Sequence, residues 1–127
     1  MIVGIGVDLV DIARVEALVA RHGERAVAKL FSDGEAAYAR ARAQPGRHLA
    51  SRFAAKEAAF KALSGNDLAR TIGWRDVEVV VAPDGQPMLH FHGAAALRAA
   101  ELGVRRALLS LTHSDASAAA VVVLEGA

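Results

Sequence analysis

From Met1 to Val10 β-branched and apolar residues are interleaved with glycines, which predicts a buried strand. A period of two places Ile2, Gly4, Gly6 and Asp8 on one face and Val3, Ile5, Val7 and Leu9 on the other. Asp11 can N-cap a helix from Ile12 whose apolar stripe is Ile12, Val15, Leu18 and Val19, and Gly23 supplies a stop. A shorter helix covers Arg25 to Leu30. Ser32 followed three residues later by Glu35 is a capping-box signature for a helix to about Ala43, ended by Gln44-Pro45-Gly46. The strongest helical periodicity runs from Arg47 to Leu63, with Leu49, Phe53, Phe60 and Leu63 in one stripe and Ser64-Gly65-Asn66 as breaker. Asp76 to Ala82 and Met88 to His92 read as an antiparallel hairpin across Pro83-Asp84-Gly85-Gln86-Pro87. Gly93 to Leu102 is an alanine-rich helix closed by Gly103, and Ala107 to Thr112 and Ala116 to Leu124 are two more strands around His113-Ser114-Asp115. A strand, three helices, a hairpin, a helix and a second hairpin predict an α+β fold with an antiparallel sheet and packed helices. No repeat or linker divides the chain, so residues 1–127 are expected to form a single domain.

Composition narrows the function classes. With 54% apolar and 23% charged residues the chain is a folded globular protein rather than a disordered one. Fifteen basic against fourteen acidic residues leave a net charge of +1, which with only six aromatic residues argues against nucleic acid or an anionic membrane as partner. The absence of cysteine excludes disulfides, thiolate metal sites and thiol nucleophiles. No apolar run is long enough to span a bilayer, and the first residues lack the basic start and small-residue cleavage site of a signal peptide, so a cytoplasmic protein is expected. Of the fifteen basic residues only Lys29, Lys56 and Lys61 are lysines. Arginine and alanine are background letters here, whereas a lysine is rare enough to notice.

Two places resist a purely structural account. Asp8 stands inside the run Ile5-Gly6-Val7-Asp8-Leu9-Val10, where an unpaired carboxylate costs energy unless a cation meets it. Gly4 and Gly6 on the same face leave room for something to approach the backbone. The alternative is a carboxylate that merely caps a neighbouring turn or helix. The second place is Arg52-Phe53-Ala54-Ala55-Lys56-Glu57-Ala58-Ala59-Phe60-Lys61. Helical geometry puts Lys56 inside the apolar stripe and Glu57 and Lys61 on its edge. An exposed i,i+4 pair explains Glu57 and Lys61 blandly. Three cations around one acid suit a phosphate-rich ligand, and Glu57 with Asp8 suits a hard divalent ion such as magnesium, which takes one or two carboxylates and leaves the rest to water and phosphate.

Other chemistries find less support. His90 and His92 share a strand face but lack a third zinc ligand at a suggestive spacing. Ser110, His113, Ser114 and Asp115 cluster without a nucleophile-elbow motif. Gly4-Ile5-Gly6 is too short for a dinucleotide fingerprint, and no Walker loop is present. Arg14, Arg21 and Arg25 recur on a common side of the early helices, a solvated face or a landing place for an acidic protein.

Three segments together carry a resemblance: GIGVDLVDIARVE at the start, RFAAKEAAFKAL in the middle and SLTHSDASAAAVVV near the end. In this order, over nearly the whole chain, they resemble the signature segments of the holo-[acyl-carrier-protein] synthases, the small trimeric class of 4′-phosphopantetheinyl transferases. The resemblance implies a magnesium-dependent transfer of phosphopantetheine from coenzyme A to a serine of an apo acyl carrier protein, releasing adenosine 3′,5′-bisphosphate, in fatty acid or polyketide biosynthesis. It implies metal ligands at Asp8 and Glu57, a hold on the transferred phosphate at Lys61, and coenzyme A contacts at Arg52 and Lys56. Ser110, Thr112 and His113 are implied near the nucleotide end, and Arg14 and Arg21 where the family docks its acidic carrier. It also implies a homotrimer with coenzyme A between subunits.

The chain departs from many relatives at Ala62-Leu63-Ser64-Gly65-Asn66-Asp67, where they carry Gly-Thr-Gly. No residue stands out as general base: Glu57, a water on the metal and Asp33 are all candidates. A non-catalytic coenzyme A or carrier-protein binder is the competing class, and the carboxylate in the first strand argues against it.

Overall fold

The computed structural model describes residues 1–127. In chain order it contains β1 (Ile2–Asp11), α1 (Ile12–Leu30), α2 (Asp33–Arg40), α3 (Pro45–Leu63), two short 3-10 turns, β2 (Val77–Val81), β3 (Pro87–Phe91), α4 (Gly93–Leu102), β4 (Arg106–His113) and β5 (Ser117–Glu125). The α+β class is as expected. The strands form two antiparallel sheets, β1-β5-β4 and the separate hairpin β2-β3.

Local signals account for most boundaries. Gly23 breaks α1 by adopting φ +63, a left-handed conformation that other residues resist. At the start of α2 the Ser32 hydroxyl accepts from the Glu35 amide at 3.1 Å, and the Glu35 carboxylate accepts from the Ser32 amide at 2.8 Å. The helix ends at Arg40, short of Ala43. Pro45 opens α3 instead of closing the preceding segment, because at the first helical position its missing N–H is not needed. Gly103, at φ +71, closes α4.

The core is organised around α3. One apolar stripe was expected, yet the helix is enclosed on most sides: Ala50, Ala54, Ala55, Ala58, Ala59, Ala62, Leu49 and Leu63 are all buried. Alanine serves both helix propensity and close approach of neighbouring backbones. Against this helix lies β1, with the sides reversed from a simple hydrophobic-in arrangement. Its inward face carries Gly4, Gly6, Asp8 and Val10, while Ile5, Val7 and Leu9 are exposed at 67%, 59% and 70%. The glycines are required: a β-carbon on Gly4 would overlap the Ala62 carbonyl oxygen, and one on Gly6 would overlap that of Ala58. The approach anticipated beside Asp8 is therefore made by the α3 backbone. β5 completes the layer with Ala118, Ala120, Val122 and Leu124 turned inward.

Gly6→Ala is expected to lower stability by about 3 kcal/mol, since the overlap is with helix backbone and cannot be relieved by a rotamer change. Gly34→Ala, where the nearest atoms are in ordinary contact, should be near neutral. Urea unfolding of the two variants checks the difference.

Candidate active site

The close contact of β1 with α3 brings Asp8, Glu57 and Lys61 together. The Lys61 ammonium donates to the Val7 carbonyl at 3.0 Å and to Asp8 Oδ1 at 3.2 Å. Asp8 is largely covered, its side chain 18% exposed, while that of Lys61 is 56% exposed. The cation demanded by a carboxylate in the first strand is thus Lys61. Partial burial, and then the charge of Asp8, push the Glu57 carboxyl above the usual glutamate range, although Lys61 and Arg14 draw it back. Two partly covered carboxylates thus lie at close quarters with one hydrogen-bonded ammonium, Lys61, while Arg14 acts on Glu57 without a hydrogen bond. This donor set fits a hard divalent ion that keeps its remaining positions for water and phosphate oxygens.

Lys56 does not join this group, which corrects the expected contact with coenzyme A. It is fully buried, bonded to Glu35 Oε1 at 2.8 Å, to the Trp74 carbonyl at 2.8 Å and to the Val77 carbonyl. All three ammonium protons are used. Glu35 is equally enclosed and also accepts from the amides of Ser32 and Val79, each at 2.8 Å. Burial pushes the Lys56 ammonium below its usual range, and Glu35 opposes that shift. The pair ties α2, α3 and β2 together, and removing one partner from such a pair typically costs about 3–5 kcal/mol.

Arg52 is separated from Lys61 as well. Nine residues apart on a helix, their side chains leave α3 about 180° from each other. Arg52 is buried beneath Tyr38, its guanidinium 4.3 Å from the ring centroid, with Nη1 donating to Ser51 Oγ at 3.2 Å and Nε without a partner. Arg42 lies 4.0 Å from the same centroid, and His48 meets that ring edge-on at 5.6 Å. Hydrogen bonding to Arg42 holds the Tyr38 phenol below its usual range despite partial burial. Burial, followed by the charges of Arg52, Arg42, Arg47 and His113, pushes the His48 imidazole below its usual value. The only ion pair relieving this positive region is Arg47 with exposed Asp115, at 3.8 Å. Arg42, Arg47 and His48 escaped the sequence reading. Arginines are too common in this chain to stand out, but His48, four residues before Arg52, shared its helix face.

The remaining candidates lie elsewhere. Sheet register places Ser110 and Thr112 on the outer face, in rows with Val121 and Val7 and with Ala119 and Leu9, opposite the face that carries Asp8. His113 falls on the inner face, in the row of Ala118 and Val10. Arg14 is exposed and close enough to Glu57 to act on its charge. Arg21 lines a groove of about 820 Å³ with His22, Arg25, Lys29, Leu18 and Trp74. Half of its lining is apolar and the polar residues lining it are basic. Asp33 is fully exposed at the start of α2 and pairs with Arg75 at 3.4 Å, apart from the acid cluster.

A family model described as the 4′-phosphopantetheinyl transferase superfamily matches residues 4–122. The chain is 48% identical over 125 residues to a holo-[acyl-carrier-protein] synthase of Nitratidesulfovibrio vulgaris, covering 98% of this chain and 99% of that one. It is 41% identical over 125 residues to the synthase of Koribacter versatilis, with the same coverage. Among solved structures it superposes on the holo-[acyl-carrier-protein] synthase of Neisseria meningitidis with a TM-score of 0.85 at 28% identity, covering 98% and 99% of the two chains. The synthase of Helicobacter pylori in complex with coenzyme A matches with a TM-score of 0.80 at 26% identity, covering 95% and 99%. The chain therefore belongs to the 4′-phosphopantetheinyl transferase superfamily and, within it, to the holo-[acyl-carrier-protein] synthases. It is an enzyme of that family.

NMR titration is expected to give His48 a midpoint below the ordinary imidazole value, and Arg42→Gln should raise it by removing one of the opposing charges. The corresponding stability is fully present above the ordinary imidazole value and is lost as pH falls through it toward the depressed folded value. An unshifted midpoint in both proteins would remove the case for a positive cluster.

Proposed function

We propose that this enzyme transfers 4′-phosphopantetheine from coenzyme A to a serine hydroxyl of an apo acyl carrier protein, with magnesium, releasing adenosine 3′,5′-bisphosphate in the cytoplasm. The observation that carries the reading is the Asp8-Glu57-Lys61 cluster built where β1 meets α3. Relatives at 41–48% identity bear the name of this activity. The Helicobacter pylori relative is described with coenzyme A and a Bacillus anthracis relative with "CoA (3',5'-ADP)".

In this reading Asp8 and Glu57 hold the magnesium ion. When bound, the ion neutralises the diphosphate and stabilises charge on the leaving phosphate. Lys61 is held by Val7 and Asp8 but half exposed, so its ammonium can also meet an oxygen of the phosphate in transfer. The serine oxygen bonds to that phosphorus as its bond to the departing nucleotide breaks. Of the protein carboxylates considered for the serine proton, Glu57 is taken up as a metal ligand in this reading and Asp33 lies apart from the cluster on Arg75, so neither is assigned as the base. Arg42, Arg47, His48 and the buried charge of Arg52 supply a positive region for a phosphate at the nucleotide end, and His113 adjoins it.

A second copy of the chain is needed to complete the site. Arg52 and Lys61 diverge on α3, and Ser110 and Thr112 stand on the sheet face opposite Asp8, so one chain cannot turn all of these groups to one ligand. That outer face is also where Ile5, Val7, Leu9, Leu108 and Val121 lie exposed. Packing this face between copies, in the trimer the family resemblance implies, buries the apolar side of β1 and brings complementary halves of the site together. Arg14, Arg21 and the basic groove of α1 suit an acidic helix of the carrier protein, with Leu18 and Trp74 beneath it.

Intact-mass spectrometry of an apo carrier protein incubated with the enzyme, coenzyme A and magnesium is expected to show a gain of one phosphopantetheine, abolished by a chelator. Glu57→Gln should reduce the rate by about a hundredfold or more while leaving folding intact. If several carriers gain nothing from a folded protein that binds coenzyme A, the protein is a binder. If Glu57→Gln turns over normally, the metal assignment is wrong.

A further inference from the structure

Arg98 on α4 is buried and belongs to none of the groups described above. Its Nε donates to the Leu63 carbonyl at 2.7 Å, its Nη2 to the Ser64 carbonyl at 3.0 Å, and its Nη1 to Glu101 Oε1 at 3.2 Å. Leu63 is the last residue of α3, so one guanidinium closes the end of the helix that carries Glu57 and Lys61. The same carboxylate oxygen of Glu101 accepts from Asn66 Nδ2 at 2.9 Å, and Asn66 Oδ1 accepts from the Ala69 amide at 2.9 Å. Ser64 Oγ donates to the Lys61 carbonyl at 2.7 Å. The last turn of α3 and the 64–67 loop are therefore clasped from α4 by hydrogen bonds to the carbonyls of Leu63 and Ser64, and Ser64 in turn caps the Lys61 carbonyl. The positive charge also complements the negative end of the helix dipole. Gly65 belongs to the same clasp. At φ +126, a β-carbon there would come within 3.2 Å of Arg98 Nη2.

We propose that Arg98 is a positioning residue for the transfer reaction, fixing the last turn of α3 so that Lys61 is held against Val7 and Asp8. It touches none of the residues assigned to ligand or metal, and it acts through the carbonyls of Leu63 and Ser64. The assignment rests on the proposed role of Lys61 in that reaction. The segment it grips is the one in which this chain carries Ser64-Gly65-Asn66-Asp67, and the clasp uses Asn66 and Glu101 in addition to backbone, so the loop and α4 fit each other by side chain as well as by space.

The test compares Arg98→Gln and Arg98→Lys with the parent enzyme. A glutamine cannot bridge two carbonyls with positive charge, and a lysine keeps the charge but not the planar fork. Arg98→Gln is expected to lower kcat roughly tenfold through displacement of Lys61, with KM for the carrier protein within about twofold because the α1 groove is untouched. Arg98→Lys should fall between, and it carries the test alone if the glutamine variant does not fold. A second readout does not depend on turnover. The chain has three lysines, so after reductive 13C-methylation the Lys61 resonance can be assigned by its loss in Lys61→Arg. It should shift in both Arg98 variants while that of Lys29 stays in place. A lower melting temperature with unchanged kcat and an unmoved Lys61 resonance would overturn the proposal and leave Arg98 a stability residue. An inactive parent with a shifted Lys61 resonance would overturn the reaction reading instead, and with it the catalytic role, leaving only the placement of Lys61.

Discussion

The contact between β1 and α3 is the constraint on which the rest of the molecule depends. A strand lies so close to a helix that carbonyl oxygens of Ala58 and Ala62 occupy the space where β-carbons of Gly6 and Gly4 would be. Only glycines on one side permit this, and the alanines along α3 keep the helix slender where other elements close around it. The consequence is chemical. Asp8, two residues beyond Gly6, is carried to the same helix at the level of Glu57 and Lys61, giving carboxylates that a looser packing would leave apart. The cost is carried by the charges. Glu57 is pushed toward its protonated form by burial and by Asp8, a state that an added cation relieves.

Charge is divided between the inside and the outside of α3. Lys56 and Glu35 form a closed unit with every ammonium proton used, joining α2 and β2 to the central helix. Glu57 and Lys61, one and five residues further on, stand where ligand can reach them. Arg52 points away from both. Under the proposed function a single chain would hold two incomplete halves of a site facing different directions, and the exposed apolar side of β1 would be the surface on which copies join them.

Much of the fold was legible because its signals are local. The capping box at Ser32, the stop at Gly23, the Pro-Asp-Gly turn and the α4 terminator at Gly103 all depend on neighbours within a few residues. Asp8, Glu57 and Lys61 were legible for a different reason, since a carboxylate in an apolar strand and rare lysines around an acid are costly to keep. Lys56 shows two signals in conflict. Periodicity placed it in the apolar stripe, the family resemblance placed it on coenzyme A, and the geometry agrees with the stripe. The reversed faces of β1 were not legible, because a glycine in a strand reads as empty space until the element that fills it is known. The Arg98 clasp was hidden by its span of more than thirty residues, and Arg42 and Arg47 by an arginine-rich background.

The central claim is that this packing creates a cation site between strand and helix. Diffraction from crystals grown with manganese and coenzyme A, recorded at an energy where manganese scatters anomalously, tests it most directly. An anomalous peak within coordination distance of carboxylate oxygens of both Asp8 and Glu57, beside a phosphate oxygen of the ligand, is the predicted result. A peak held by neither carboxylate, with coenzyme A bound in place, would contradict the account.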